Sequence, residues 1–112
     1  MSDIFPAATV VLVRDGHEGM ETLLLRRNKA LKFAGGSWVF PGGRIDQADY
    51  GDSMDDIEAA ARVAAVRETK EEADLIIDEK GLIYFSHCTT PPEIPKRFAT
   101  WFYISAIDTE QT

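Results

Sequence analysis

Three carboxylates, Glu68, Glu71 and Glu72, stand at i, i+3 and i+4 in the run Arg67-Glu-Thr-Lys-Glu-Glu-Ala73. If that run is helical, all three share one face. Like charges so placed repel one another. Near a helix C-terminus the macrodipole disfavours them further. A cation among them would relieve both costs, and hard divalent ions such as Mg²⁺ and Mn²⁺ prefer oxygen ligands. The plain competing reading is a solvated helix surface. Arg67 with Glu71, and Lys70 with Asp74, make ordinary i,i+4 pairs.

What lies behind the carboxylates favours a site. Ile57, Ala61, Ala64 and Ala65 continue the same stripe toward the N-terminus, so the charges extend an apolar row that should face a core. Ala59, Val63 and Val66 form a second apolar row on the opposite side, which predicts a helix packed on both sides. From Met54 to about Ala73 the chain is rich in Ala and Glu and free of Gly and Pro, which reads as one long helix. Ser53, with Asp56 three residues on, reads as its capping box.

The elements that must position this helix are strands. Ala7 to Val13 is a β-branched run, and Glu21 to Arg27 reads as its hairpin partner across the turn residues 15–19. Asn28 to Ser37 reads as a loop, Trp38-Val39-Phe40 as a short strand broken by Pro41-Gly42-Gly43, and Arg44 to Asp52 as an acidic loop. Gly81 to Cys88 and Phe98 to Ile107 read as two further strands, separated by the proline-rich loop Thr89 to Pro95. The pattern predicts an α+β (α/β) fold: a mixed sheet with a helix on one face. The sheet's other apolar face calls for a second helix, which this chain lacks. The expectation is a single domain over 1–112, truncated at its C-terminus or covered there by a partner chain such as a second copy.

Composition is that of a globular domain, 45% hydrophobic and 28% charged in 112 residues. The net charge of -7 argues against nucleic-acid polymers and anionic membranes as partners. An anionic substrate would therefore need metal cations or local Arg and Lys. Cys88 has no second cysteine to pair with. There is no apolar run long enough to span a bilayer and no secretory signal, so the expected location is cytoplasmic.

Pro41-Gly42-Gly43, the acidic loop and Arg67 to Leu75 together resemble the Nudix box: Gly, five residues, Glu, seven residues, then Arg-Glu-aliphatic-x-Glu-Glu-x-Gly-aliphatic. The strands fit that family's mixed-sheet sandwich, so the resemblance covers nearly the whole chain. It implies metal-dependent cleavage of a pyrophosphate bond in a nucleoside diphosphate linked to another moiety. It also implies roles. Glu68 and Glu72 would ligate Mg²⁺ or Mn²⁺, Glu71 would ligate or position a metal-bound water, and the Gly42 carbonyl would be a backbone ligand. Arg67 would orient the carboxylates. Glu93 is a candidate general base. Arg27, Lys32, Gly43, Arg44 and Arg97 are the candidate substrate-binding residues, and Lys29 and Lys96 are further cations that could reach phosphate.

The sequence departs from the box in four places. Residues 44–66, between Gly43 and Arg67, exceed the family spacing by about ten. Ala59 stands eight before Arg67, where the pattern has Glu, a position read as structural. Asp74 replaces the helix-ending glycine, and Thr69 replaces an aliphatic residue. A second resemblance runs from Leu23 to Lys32, then Gly36, Phe40 to Gly43, Asp46 and Asp49. It is similar to the signature of the coenzyme A-directed branch, departing at Leu25, Asn28, Lys32 and Trp38. It points to coenzyme A or its acyl esters. ADP-ribose, NADH and dinucleoside polyphosphates remain open, as does a nucleotide-binding module without catalysis. Trp38, Trp101 and Phe102 fit either base stacking or a core. His17 and His87 lack metal-ligand spacing.

Overall fold

The computed structural model describes residues 4–26, 38–51, 56–91 and 97–107. β1 (Ile4–Gly16) runs through the centre, and the chain turns back at His17 and Glu18 into β2 (Gly19–Thr22). Gly16 pairs with Gly19 across that turn, a two-residue hairpin. β3 (Leu25–Arg26) and β4 (Trp38–Val39) form a small antiparallel sheet of their own. β5 (Gly42–Arg44) follows, then a 3-10 turn (Gln47–Tyr50) and α1 (Ile57–Ala73). After a second 3-10 turn (Glu79–Gly81) come β6 (Ile83–Thr89) and β7 (Arg97–Ala106).

The main sheet has the order β2-β1-β7-β6, and β5 also pairs with β1. β1 and β7 are parallel, from Ile4 beside Arg97 to Val13 beside Ala106. The other pairs are antiparallel. This is the expected mixed α+β architecture. β1 holds it together because Ala8, Val10 and Leu12 alternate toward α1 and are fully buried there. Ala60, Ala61, Ala64 and Ala65 meet them from the helix. Alanine side chains let helix and sheet approach closely. Tyr103 of β7 fills the remaining space, its hydroxyl donating to the Glu58 carbonyl at 3.3 Å.

Several expectations need correcting. α1 begins at Ile57, capped by Asp56, whose Oδ1 accepts from the Ala59 amide at 3.0 Å. Ser53 lies outside the described residues. The second apolar row is only partly covered: Val66 packs against the core, Ala59 is half-buried and Val63 is exposed. The Pro41-Gly42-Gly43 segment does not merely end a strand. It enters β5, where Gly42 pairs with Thr9 and Arg44 with Ala7.

Asp74 ends the helix in the left-handed region, at φ 56° and ψ 35°, as its place in the box requires. On the sheet face away from α1, Val11, Phe102 and Ile104 are half-buried and Ile83 and Phe85 are exposed. Thus, among the described residues, the second apolar face has no helix on it. No described helix is long and apolar enough to cross a membrane.

Candidate active site

β5 lies between β1 and the C-terminal half of α1, and it requires glycine twice. Gly42 has φ 154°, and a Cβ there would stand 2.2 Å from the Ala8 carbonyl oxygen and 2.8 Å from Thr9 Cα. Only a residue without a side chain fits against the β1 backbone. A Cβ on Gly43 would stand 2.8 Å from the Glu68 carboxyl carbon. Glu68 therefore lies directly on the Gly43 backbone. One turn on, Glu72 accepts the Gly42 amide through Oε1 at 2.9 Å. The glycine pair thus brings two carboxylates of α1 onto one short stretch of main chain.

Arg67 organises the other side of this group. Its Nε donates to Asp49 Oδ1 at 3.0 Å and its Nη2 to Asp49 Oδ2 at 2.9 Å, a bidentate pair. Nη1 reaches Glu68 Oε1 at 2.9 Å and Glu71 Oε2 at 3.3 Å. Nη2 also donates to the Arg44 carbonyl at 3.2 Å and lies 3.4 Å from Asp46 Oδ2. Hydrogen bonds to Asp49 are the main cause that raises the Arg67 pKa above its ordinary value, so its charge is permanent. Burial works against ionisation of Asp49. The Arg67 pair and the Asp46 amide outweigh it and hold the carboxyl below the usual carboxylate range.

Asp49 corrects the reading of the box. Five residues separate Gly43 from Asp49, the spacing at which the pattern has its first glutamate. The acidic partner of Arg67 is Asp49, and position 59 is not involved. The extra residues of this chain fall within 50–66 rather than before the acid. Counting forward from Gly43, instead of back from Arg67, would have found it. Thr69 is fully buried in place of the usual aliphatic residue. Its hydroxyl donates to the Ala65 carbonyl at 2.7 Å, so no polar group is stranded.

A cleft of about 370 Å³ opens beside the glycine pair, lined among others by Glu72, Gly42, Gly43, Arg44, Phe98 and Thr100. A larger hollow of about 630 Å³ lies past the end of α1, between Leu12, Leu23, Leu75 and Ile107. It holds none of the three glutamates, so the smaller cleft is the candidate site.

The expected site residues divide accordingly. Gly42, Gly43, Glu68, Arg67, Glu71 and Glu72 come together, and Arg44 joins them through its carbonyl and at the cleft. Arg97 does not line the cleft: its Nε donates to the Thr90 carbonyl at 3.1 Å. Arg27, Lys29, Lys32, Glu93 and Lys96 lie outside the described residues. Trp101 packs against the core, Phe102 is half-buried in β7, and Trp38 is exposed.

Among the described residues, no group of three or more His, Cys, Asp and Glu side chains is closed to metal-ligating distance. The carboxylates turn to Arg67 and the Gly42 amide instead. The donor set is nonetheless all hard oxygen, which suits Mg²⁺ or Mn²⁺.

The NUDIX domain family model matches residues 4–112. The chain belongs to the NUDIX domain family. This NUDIX chain is 28% identical, over 79% of its length, to a Caenorhabditis elegans protein that carries the provisional name nudix hydrolase 7. The matched region spans only 40% of the length of that relative. The crystal structure of a NUDIX hydrolase from Alicyclobacillus acidocaldarius superposes with a TM-score of 0.82 at 28% identity, covering 96% of this chain and 72% of that one. The NUDIX domain of Shewanella oneidensis NrtR, complexed with ADP ribose, shares the fold at a TM-score of 0.70 and 16% identity, over 96% of this chain and 63% of that one.

Proposed function

We propose that this NUDIX domain hydrolyses, with a divalent cation, the pyrophosphate bond of a nucleoside diphosphate joined to a further group. The observation that carries this reading is the meeting of Glu68 and Glu72 on the Gly42–Gly43 main chain at the edge of a cleft. Glu68 and Glu72, with Glu71 and the Gly42 carbonyl, would hold Mg²⁺ or Mn²⁺. When bound, the ion supplies neutralisation of phosphate charge and activation of water for in-line attack. It also relieves the repulsion among three carboxylates in the last turns of α1.

The chain's own groups do the rest. Arg67, anchored on Asp49, orients Glu68 and Glu71. Gly43 lets the phosphates approach the main chain, and Arg44 offers a cation to them from the cleft wall. Glu93 serves as general base, with Arg27 and Lys32 as further substrate contacts; Arg97, turned to the Thr90 carbonyl, is not among them.

For the substrate, coenzyme A or an acyl ester is favoured by the run from Leu23 to Lys32 followed by Gly36, Phe40 to Gly43, Asp46 and Asp49. The test is a panel of coenzyme A, acetyl-coenzyme A, ADP-ribose, NADH and diadenosine polyphosphates with Mg²⁺ or Mn²⁺, products separated by chromatography. Release of 3′,5′-ADP and a phosphopantetheine supports the assignment. Cleavage of another member of the panel keeps the chemistry and removes coenzyme A as the substrate.

A further inference from the structure

Arg44 is a cation held in an unusual way. Its guanidinium lies 4.0 Å from the centroid of the Phe5 ring. Among the described residues it makes no side-chain hydrogen bond or ion pair to a carboxylate. Arg14, Arg62 and Arg67 each pair with a glutamate or aspartate. In a chain of net charge -7, a cation held by a π face has no adjacent anion offsetting its field, whereas one paired with a carboxylate does. Arg44 also lines the cleft that contains Glu72. Its main chain is tied to the site through the Arg67 Nη2 bond to its carbonyl. The Phe5 ring is itself set by β1–β7 pairing, opposite Phe98 and 6.2 Å from that ring's centroid. Phe98 lines the same cleft.

We propose that Phe5 is a positioning residue, whose ring parks the Arg44 guanidinium at the cleft so that its charge and N–H edge are directed to a phosphate of the substrate. This rests on the reading of the cleft as a nucleoside diphosphate site. An exposed guanidinium without such a platform samples many rotamers and loses side-chain entropy on binding. Stacking on Phe5 settles that cost before the substrate arrives. The effect therefore falls on binding, and the chemical step is left to the glutamates.

The test is calorimetric titration with ADP and Mg²⁺ of the wild-type chain, Phe5→Leu, Phe5→Tyr, Arg44→Gln and the Phe5→Leu/Arg44→Gln double variant. Their melting temperatures are recorded alongside. Phe5→Leu is expected to weaken ADP binding about two- to fivefold, and Phe5→Tyr to restore it. In the Arg44→Gln background Phe5→Leu has no further effect, because nothing remains to be positioned. With whichever nucleotide the wild type cleaves, Phe5→Leu raises KM by the same factor and retains kcat.

Equal losses from Phe5→Leu with and without Arg44, or a fall in kcat at constant KM, would overturn the proposal. So would a wild type that does not bind ADP. A wild type that binds ADP but cleaves no member of the substrate panel defeats the hydrolase reading alone, and the ratios of Kd still decide the role of Phe5.

Discussion

Arg67 grips Asp49 with two parallel hydrogen bonds, 3.0 Å from Nε to Oδ1 and 2.9 Å from Nη2 to Oδ2. The two residues are 18 apart in sequence. Asp49 is 3% exposed and Arg67 26%. The pair joins the turn after β5 to the helix that bears the glutamates, so fold and site share one contact.

Removing one partner leaves the other half-desolvated. Asp49→Ala is expected to cost about 2–3 kcal/mol, the usual range for losing hydrogen bonds to a charged group in a partly buried setting. Urea unfolding measures it. A loss below about 0.5 kcal/mol, typical of an exposed pair, would contradict the structural role assigned here.

The same pair sets a pH dependence. Asp49 has a lowered pKa in the folded chain, so its contribution is fully present above the unfolded carboxylate value, near 3.9. It is lost as pH falls through the folded value, because the unfolded chain takes up the proton first. Stability measured from pH 6 down to pH 2 should therefore decline below about pH 4. Asp49→Asn should flatten that part of the curve. An unchanged acid limb in the variant would exclude Asp49 as its source.

The two glycines of the box should respond differently to alanine. At Gly42 the new Cβ meets β1 backbone at 2.2 Å and the backbone is left-handed, so Gly42→Ala should cost more than about 3 kcal/mol or prevent folding. At Gly43 the new Cβ meets the carboxylate end of Glu68, which can swing away. Gly43→Ala should melt within a few degrees of wild type yet lose most of its divalent-ion-dependent activity. Thermal unfolding and turnover, measured on both variants, separate the cases. Equal melting temperatures would contradict the geometry.

Asp74 holds a left-handed conformation that glycine adopts without strain. Asp74→Gly should stabilise the chain by about 0.5–1 kcal/mol in denaturant unfolding. The lost partner is Lys70, on an exposed surface where pairing contributes little. Destabilisation would mean the helix end is held by that pair after all.

Much of this was legible in the residues, for identifiable reasons. α1 lacks Gly and Pro throughout and carries its buried alanines at helical spacing, so its existence was secure. Its start was misplaced by three residues because the cap lies at Asp56 rather than Ser53. β5 was hidden: Pro41-Gly42-Gly43 reads as a breaker, and only the close approach of β1 explains why glycine is needed inside a strand. Val63 looked like a packed position from periodicity, but it is exposed. Asp49 was not recognised as the partner of Arg67, because the insertion within 50–66 separates the two in sequence and only folding brings them together. Arg97 could not be placed from sequence, since the facing of a strand's first residue depends on register.

The most direct test is divalent-ion-dependent pyrophosphate hydrolysis by the wild-type chain beside Glu72→Gln, a change that keeps the shape of the side chain that accepts the Gly42 amide. Turnover of at least one nucleoside diphosphate derivative with Mg²⁺ or Mn²⁺, reduced at least about a hundredfold in a folded Glu72→Gln variant, is the predicted result. Equal activity in the two proteins, or none in a folded wild type across the whole panel, would contradict it.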